Sequence, residues 1–158
     1  MVDTLSKLNE LMANGNFAKA EILLFDLLQK QPENYNLHKN LGMALLAQKK
    51  YNGALKCFEK CYFKDKNDFD VILNLSFLFL KLQDHEHSIN FAYEAIKLNP
   101  EISGAYQNLA TCRLELLDFE EAKKNAEKVI ELRGGILSEE FLKYSDFINL
   151  YADILLAK

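Results

Sequence analysis

Three asparagines recur along this chain at a constant spacing of 34 residues, at Asn40, Asn74 and Asn108. Asparagine is a mediocre helix former, so its repetition inside segments with helical periodicity needs a reason. An amide both donates and accepts hydrogen bonds, and a row of amides can bond the N–H and C=O groups of an extended peptide. The alternative interpretation is that each amide is merely solvated. The spacing makes these asparagines candidate residues for binding a peptide backbone.

Metal ligands and catalytic groups are weakly indicated. Cys57 and Cys61 lie four residues apart on a predicted helix, where buried structural thiols are commoner than metal ligands. Residues 84–87 read Asp-His-Glu-His, but His85 falls at the position of a packing aromatic and no further ligand is near in sequence. No glycine-rich phosphate loop or nucleophile–base pair stands out. We therefore predict no catalytic residue, no metal and no cofactor.

Composition and charge limit the classes of partner. The 158 residues carry a formal net charge of −4 with interspersed signs, which argues against nucleic acid as a main partner. The charge is uneven, because residues 35–68 carry +4 and residues 69–102 carry −3. The first residues lack the pattern of a signal peptide, and the most apolar run, 71–80, is too short to cross a bilayer. We predict a cytoplasmic protein with no membrane insertion.

The candidate residues lie on predicted helices that come in pairs. Apolar residues at i, i+3 and i+4 indicate eight helices of roughly 12–14 residues, joined by loops of only a few residues. Gly15 interrupts the first pair, and the Gln31-Pro32 step ends it. Such short loops make neighbouring helices antiparallel, so each pair is a helical hairpin. The hairpin recurs over residues 1–34, 35–68, 69–102 and 103–136.

One hairpin cannot bury its own apolar face, so neighbouring hairpins must stack on one another. Small residues recur where two helices are expected to approach closely. They are Ala20, Ala54, Ser88 and Ala122 in the second helices, and Gly42, Ser76 and Ala110 in three of the first helices. Asp118, followed three residues later by Glu121, resembles a capping box at the start of the last second helix.

The period stops after the fourth repeat, and residues 138–157 are predicted to form one longer helix. One apolar stripe of this helix would cover the open end of the fourth repeat. A second stripe is more than a cap requires and is a candidate surface for self-association; it comprises Phe147, Leu150 and Ile154. Residues 1–158 are predicted to form a single domain.

The 34-residue unit resembles the tetratricopeptide repeat, which has conserved small and apolar residues in both helices of each pair. The matching residues include Gly15, Ala20 and Pro32, then Leu41, Gly42, Ala54 and Phe58, then Leu75, Ser76, Ser88 and Pro100, and finally Leu109, Ala110 and Ala122. The resemblance implies an all-α, right-handed solenoid of stacked antiparallel helix pairs. It also implies that the first helix of each pair lines a concave groove that holds a segment of another protein.

Residues that face this groove should lie on one stripe of each first helix. The recurring asparagines fall on that stripe and resemble the asparagine ladder in the tetratricopeptide region of O-linked N-acetylglucosamine transferase. A flexible methionine and an aromatic ring suit the binding of apolar side chains, so we expect Met43 and Phe77 to add contacts. The predicted peptide-binding residues are Asn9, Asn40, Asn74, Asn108, Lys39, Met43 and Phe77.

The carboxylate clamp of co-chaperone members of this family is not predicted here. When its pattern is started at the first repeat, Leu5, Asp70 and Asn74 stand where basic residues are needed, so a terminal carboxylate has no charge partner. We interpret the chain as a non-enzymatic interaction module for an extended or amphipathic protein segment. Two alternatives remain, namely the substrate-recruiting segment of a larger enzyme such as a glycosyltransferase, and a self-assembling scaffold.

Overall fold

A computed structural model describes residues 2–133. Within that range the chain forms eight α-helices, which have 12 to 14 residues each as predicted. They are α1 (Val2–Ala13), α2 (Phe17–Lys30), α3 (Tyr35–Ala47), α4 (Tyr51–Lys64), α5 (Phe69–Lys81), α6 (His85–Leu98), α7 (Ser103–Glu115) and α8 (Phe119–Leu132). The predicted helix over 138–157, with its two apolar stripes, lies outside the described residues.

The chain divides into two units, Met1–Val71 and Ile72–Lys158, of which the structure describes residues 2–71 and 72–133. In the first unit α1 packs on α2, α2 on α3 and α3 on α4. In the second unit α6 packs on α7 and α7 on α8. Within each unit these consecutive helices contact one another, as the predicted hairpins require. The single domain expected over residues 1–158 stays a prediction.

In the core of the first unit, α3 and α4 approach each other closely at Gly42. A Cβ atom at this position would lie 2.9 Å from Cε2 of Phe58, whose ring is fully buried. A glycine at residue 42 thus lets α3 approach the ring on α4. The other fully buried residues of this unit include Ala20, Leu24, Ala44, Ala54 and Cys61.

In the core of the second unit small residues again occupy the crossings. Ser76 on α5 and Ser88 on α6 are fully buried, as are Ala110 on α7 and Ala122 on α8. Phe79 stacks on Phe91 with a centroid separation of 5.5 Å, which also joins α5 to α6. The burial predicted for the small residues at these positions is confirmed.

The turn between the two helices of each repeat holds one residue in the left-handed region. The φ angles are 70° at Gly15, 59° at Lys49, 63° at Gln83 and 61° at Leu117. Each turn has the two hydrogen bonds of a Schellman motif; in the last one Leu117 N donates to Leu114 O at 2.9 Å and Asp118 N donates to Arg113 O at 2.8 Å. The conformation is constant although glycine occurs in the first turn alone.

Side-chain caps begin several of the helices. Oδ1 of Asp118 accepts a hydrogen bond from the backbone N–H of Glu121 at 3.4 Å, which confirms the N-cap part of the predicted capping box. Asp84 caps α6 in the same way, and Asn34 caps α3. These caps help to fix where α3, α6 and α8 start.

Candidate functional site

In the first unit, most of the predicted peptide-binding residues lie on α3. The buried residues of this helix include Leu41, Ala44 and Leu45. Away from them, Asn40 is half-buried and Met43 keeps 44% of its surface exposed. Because they are three residues apart on a helix, their side chains are neighbours. α3 thus presents an amide beside an exposed thioether, while Asn9 is exposed on α1.

Lys39, the predicted charged contact, is held by two carboxylates. Its Nζ donates to Oδ2 of Asp68 at 2.7 Å and to Oδ2 of Asp70 at 3.2 Å. Tyr35 Oη also donates to Oδ2 of Asp68, at 2.6 Å. The Asp70 side chain is 56% exposed and that of Asp68 only 16%. A ligand carboxylate would therefore compete with Asp70 for this lysine more readily than with Asp68.

Burial and hydrogen bonding act in opposite directions on the titration of this ion cluster. Burial lowers the pKa of Lys39, but its hydrogen bonds to Asp68 and Asp70 raise the pKa above the ordinary lysine value. Burial likewise raises the pKa of Asp68, yet the hydrogen bonds from Lys39, Tyr35 and the N–H of Val71 hold it below the usual range. Both partners are accordingly charged at neutral pH.

In the second unit, Asn74 and Phe77 lie on one face of α5. Both are half-buried, and they are three residues apart, as Asn40 and Met43 are on α3. The ammonium of Lys81 lies 5.3 Å from the centroid of the Phe77 ring, a cation–π contact that covers part of the ring. An amide followed by an apolar side chain thus recurs at the same two repeat positions.

Asn108 belongs to a buried hydrogen-bond network in the second unit. Its Nδ2 donates to Oγ of Ser76 at 3.0 Å, and the residue is only 6% exposed. Ser76 in turn bonds to Ser88, and Cys112 Sγ donates to Oγ of Ser88 at 3.1 Å. The network joins α5, α6 and α7, so Asn108 contributes to their packing. That burial distinguishes it from Asn40 in the same repeat position, which is only half-buried.

Sequence reasoning missed the residues that hold Lys39. Tyr35, Asp68 and Asp70 were not recognised as partners, although Asp68 precedes α5 at an N-cap position and its Oδ1 accepts from Val71 N at 3.2 Å. The available signal in the sequence was Asp68, a carboxylate at the start of α5 that follows Lys39 by less than one repeat. Sequence reasoning also missed the hydrogen bond between Asn108 and Ser76. This bond is possible because the small residue at position 76 is a serine, which has a hydroxyl group.

The described cysteines and histidines are engaged in packing or in pairwise contacts. Burial raises the pKa of Cys57 and that of Cys61 to about 11, so both are neutral thiols and poor metal ligands or nucleophiles. His85 Nε2 lies 2.5 Å from Oε2 of Glu115, whereas His87 Nδ1 contacts Asp84. Within residues 2–133 no group of three or more His, Cys, Asp or Glu side chains is arranged to hold a metal ion.

None of the helices described within residues 2–133 has both the length and the apolar character needed to cross a bilayer.

Family models and curated sequences identify proteins that are similar to this chain. Family models described as tetratricopeptide repeat match residues 35–68, 69–102 and 103–135. BBSome complex member BBS4 of Xenopus tropicalis is 31% identical over 101 residues, which cover 64% of this chain and 20% of that protein. Protein STIP1 homolog of Dictyostelium discoideum is 34% identical over 94 residues, which cover 60% of this chain and 17% of that protein. The chain thus spans about a fifth of the length of these relatives.

Solved structures extend the similarity to the fold. A crystal structure of MamA protein aligns with a TM-score of 0.76 over 98% of this chain and 92% of that chain, at 19% identity. A MamA structure from Desulfovibrio magneticus RS-1 gives 0.78 over 84% and 75% at 22% identity. These likenesses confirm the predicted fold class. Residues 1–34 lie outside the matched ranges, but α1, α2 and the left-handed Gly15 keep the same repeat positions. The chain belongs to the tetratricopeptide repeat family.

Proposed function

We propose that this chain is a protein-interaction module that binds an extended or amphipathic segment of another protein along the first helices of its repeats. Membership of the family supports the interaction role. The observation that carries the proposal is the side of α3 that packs no core, where Asn40 lies beside the exposed Met43. The same pairing of an amide with an apolar side chain at Asn74 and Phe77 supports a recurring mode of recognition.

The chemistry of this pairing suits an extended ligand. An asparagine amide can donate and accept at once, which matches the N–H and C=O groups of a strand-like backbone. Each such bond contributes about 0.5–1.5 kcal/mol net, so amides alone give weak binding. A ligand side chain that becomes fully buried against Met43 or Phe77 adds about 1.5–3 kcal/mol. Affinity is therefore expected from the apolar contacts and orientation from the amides.

Three other residues complete the proposed surface with different roles. Asn9 extends the series on α1, where it is exposed. Asn108 extends it on α7 while its Nδ2 stays bonded to Ser76. Lys39 binds an acidic side chain of the ligand when that group displaces Asp70, which makes this part of binding sensitive to salt. The concave groove typical of the family is the arrangement we propose for these helices.

The setting of this function is an assembly of proteins in the cytoplasm. Similarity to a BBSome complex member supports a role within a protein assembly. The cysteines of the described residues are free thiols rather than disulfides, which is typical of a reducing compartment.

The test is quantitative capture of partner proteins on the immobilised full chain, followed by binding measurements with the captured segment. Asn40→Ala and Met43→Glu should each reduce the captured amount without lowering the melting temperature, because neither side chain is in the core. Asn52→Ala, at an exposed asparagine of α4, is the matched control and should capture as the wild type does. Equal capture by the α3 variants and the control would refute the proposed surface.

A further inference from the structure

One face of α4 is basic around an exposed aromatic ring. We define this basic face as Lys56, Lys60, Phe63 and Lys64, which follow one another at helical spacing. Phe63 keeps 79% of its surface exposed, a large exposure for a phenylalanine. Residues 49–66 contain six lysines and two carboxylates, a net charge of +4. Lys64 pairs with Glu33 at 2.9 Å, whereas Lys56 and Lys60 have no ion pair among the described residues.

The turn between α7 and α8 has the opposite character. We define this acidic turn as Glu115, Leu116, Leu117, Phe119 and Glu120. The three apolar side chains are exposed, and Leu117 keeps 72% of its surface in solvent. Residues 114–122 contain four carboxylates and no lysine or arginine, a net charge of −4. The acidic turn therefore resembles the basic face in having exposed apolar side chains at its centre, but the charges around them are negative instead of positive.

Ion pairs with Arg113 and Lys124 neutralise two of these four carboxylates. Asp118 accepts from Arg113 at 3.2 Å, and Glu121 pairs with Lys124 at 3.3 Å. Glu115 contacts the imidazole of His85. Glu120 is exposed and has no ion pair among the described residues. Glu115 and Glu120, on either side of the apolar residues, are thus the carboxylates available to an approaching surface.

The backbone of Leu117 adds an independent observation. Its φ of 61° lies in a region that side chains with a Cβ atom disfavour, and its side chain gains little burial in return. The equivalent residues of the other turns are Gly15, Lys49 and Gln83, none of which is apolar. The left-handed conformation is shared by all four turns, so what distinguishes Leu117 is an apolar side chain held in solvent. An exposed leucine at this position suits a contact surface.

We propose that the basic face of one copy docks on the acidic turn of a second copy of this chain. Phe63 would pack against Leu116, Leu117 and Phe119, with lysines of the basic face opposite Glu115 and Glu120. A second copy is the occupant favoured here because this chain itself carries both complementary surfaces, with three lysines on the basic face and two carboxylates on the acidic turn. Since two different surfaces meet, the same contact allows either a reciprocal dimer or a head-to-tail series of copies. It is independent of the proposed peptide-binding surface on α3 and α5.

The test is the mass of the full chain in solution, measured by sedimentation over a range of concentrations. The wild type should show a mass that rises with concentration at about 0.05 M salt and much less at about 0.5 M, because salt screens exposed charges. A wild type that stays monomeric throughout would overturn the proposal. Mass that rises equally at both salt concentrations would also overturn it.

Charge swapping makes the test specific. The basic-face variant Lys56→Glu/Lys60→Glu and the acidic-turn variant Glu115→Lys/Glu120→Lys should each remain monomeric alone. An equimolar mixture should associate again, because each variant then offers a face complementary to the other. Failure of the mixture to associate, with both variants folded by circular dichroism, would overturn the proposal. Association that survives both reversals but is lost in Leu150→Ser would assign the contact to the C-terminal stripe instead and would also overturn it.

A second pair of variants separates the apolar contact from the fold. Leu117→Gly removes the side chain and relaxes the turn, so association should weaken at least about tenfold while the melting temperature rises. Gln83→Gly relaxes the equivalent turn of the previous repeat and should leave association unchanged. Unchanged association of Leu117→Gly would contradict the packing of Phe63 on this turn.

Discussion

Ser76 and Ser88 hydrogen-bond to each other's backbone where α5 crosses α6. Ser76 Oγ donates to the carbonyl oxygen of Ser88 at 2.9 Å, and Ser88 Oγ donates to that of Ser76 at 2.8 Å. Both residues are fully buried. The crossing requires small side chains, and the serines also satisfy each other's polar groups there. Asn108 and Cys112 attach to this pair from α7.

The bond between Asn108 and Ser76 can be measured by a double-mutant cycle. Asn108→Ala should lower the free energy of unfolding by about 1–2 kcal/mol, because a buried hydrogen bond is lost. Ser76→Ala should also destabilise, since it leaves the Asn108 amide without this acceptor. The double variant should lose less than the sum, with a coupling of about 0.5–1.5 kcal/mol by urea denaturation. Strictly additive losses would contradict the coupling, and Asn90→Ala, at an exposed site, is the control.

Two helical glycines should respond to alanine with opposite signs. Gly42→Ala places a Cβ atom 2.9 Å from the buried Phe58 ring and should destabilise the fold by about 1–3 kcal/mol. At Gly104 the added Cβ would lie 3.4 Å from Cδ2 of Leu73, an ordinary contact, so Gly104→Ala should stabilise by about 0.5–1 kcal/mol. Thermal and urea unfolding of the two variants decide this. A neutral Gly42→Ala would show that α3 and α4 are farther apart than described.

The left-handed turn position predicts a set of stabilising substitutions. Lys49→Gly and Gln83→Gly should each raise the free energy of unfolding by about 0.5–1 kcal/mol, because glycine tolerates φ near 60°. Gly15→Ala, at the equivalent position of the first repeat, should have the opposite effect. Equilibrium urea denaturation of the three variants measures these changes. Destabilisation by both glycine substitutions would contradict the left-handed conformation of these turns.

The ion cluster around Lys39 predicts a pH dependence. The pKa of Asp68 is lowered in the folded state, so its carboxylate stabilises the fold above the ordinary aspartate pKa of about 3.9 and stops doing so as pH falls through the lower folded value. Asp68→Asn should therefore be less stable than the wild type at pH 7. The difference should shrink below about pH 4 in urea titrations. A difference that does not change with pH would rule out an ionic contribution.

The fold was largely predictable because its determinants are local and repeat. Buried small residues such as Ala54 and Ala122 follow from the period of 34 and from the need of helices to approach closely. The left-handed residue in each turn was predictable only at Gly15, because Lys49, Gln83 and Leu117 carry no residue-type signal for that conformation. Only the shared repeat position connects them with Gly15.

The candidate site was less predictable because it depends on which neighbours a side chain meets. Asn40, Asn74 and Asn108 are equivalent in sequence, yet Asn108 is buried on Ser76. That bond exists because the small-residue position holds a serine, the only one of the usual small residues with a hydroxyl. Lys39 is paired across a distance of nearly one repeat, with Asp68. Periodicity places such residues on a helix face and does not reveal their partners.

The most direct test of the central claim is the affinity of a captured partner segment for Asn74→Ala, compared with Asn90→Ala. Both substitutions remove an asparagine from a helix of the third repeat, one on α5 at the proposed surface and one exposed on α6. Isothermal titration should show at least about tenfold weaker binding for Asn74→Ala and wild-type binding for Asn90→Ala. Equal affinities for the two variants would contradict recognition of the segment by the first helices of the repeats.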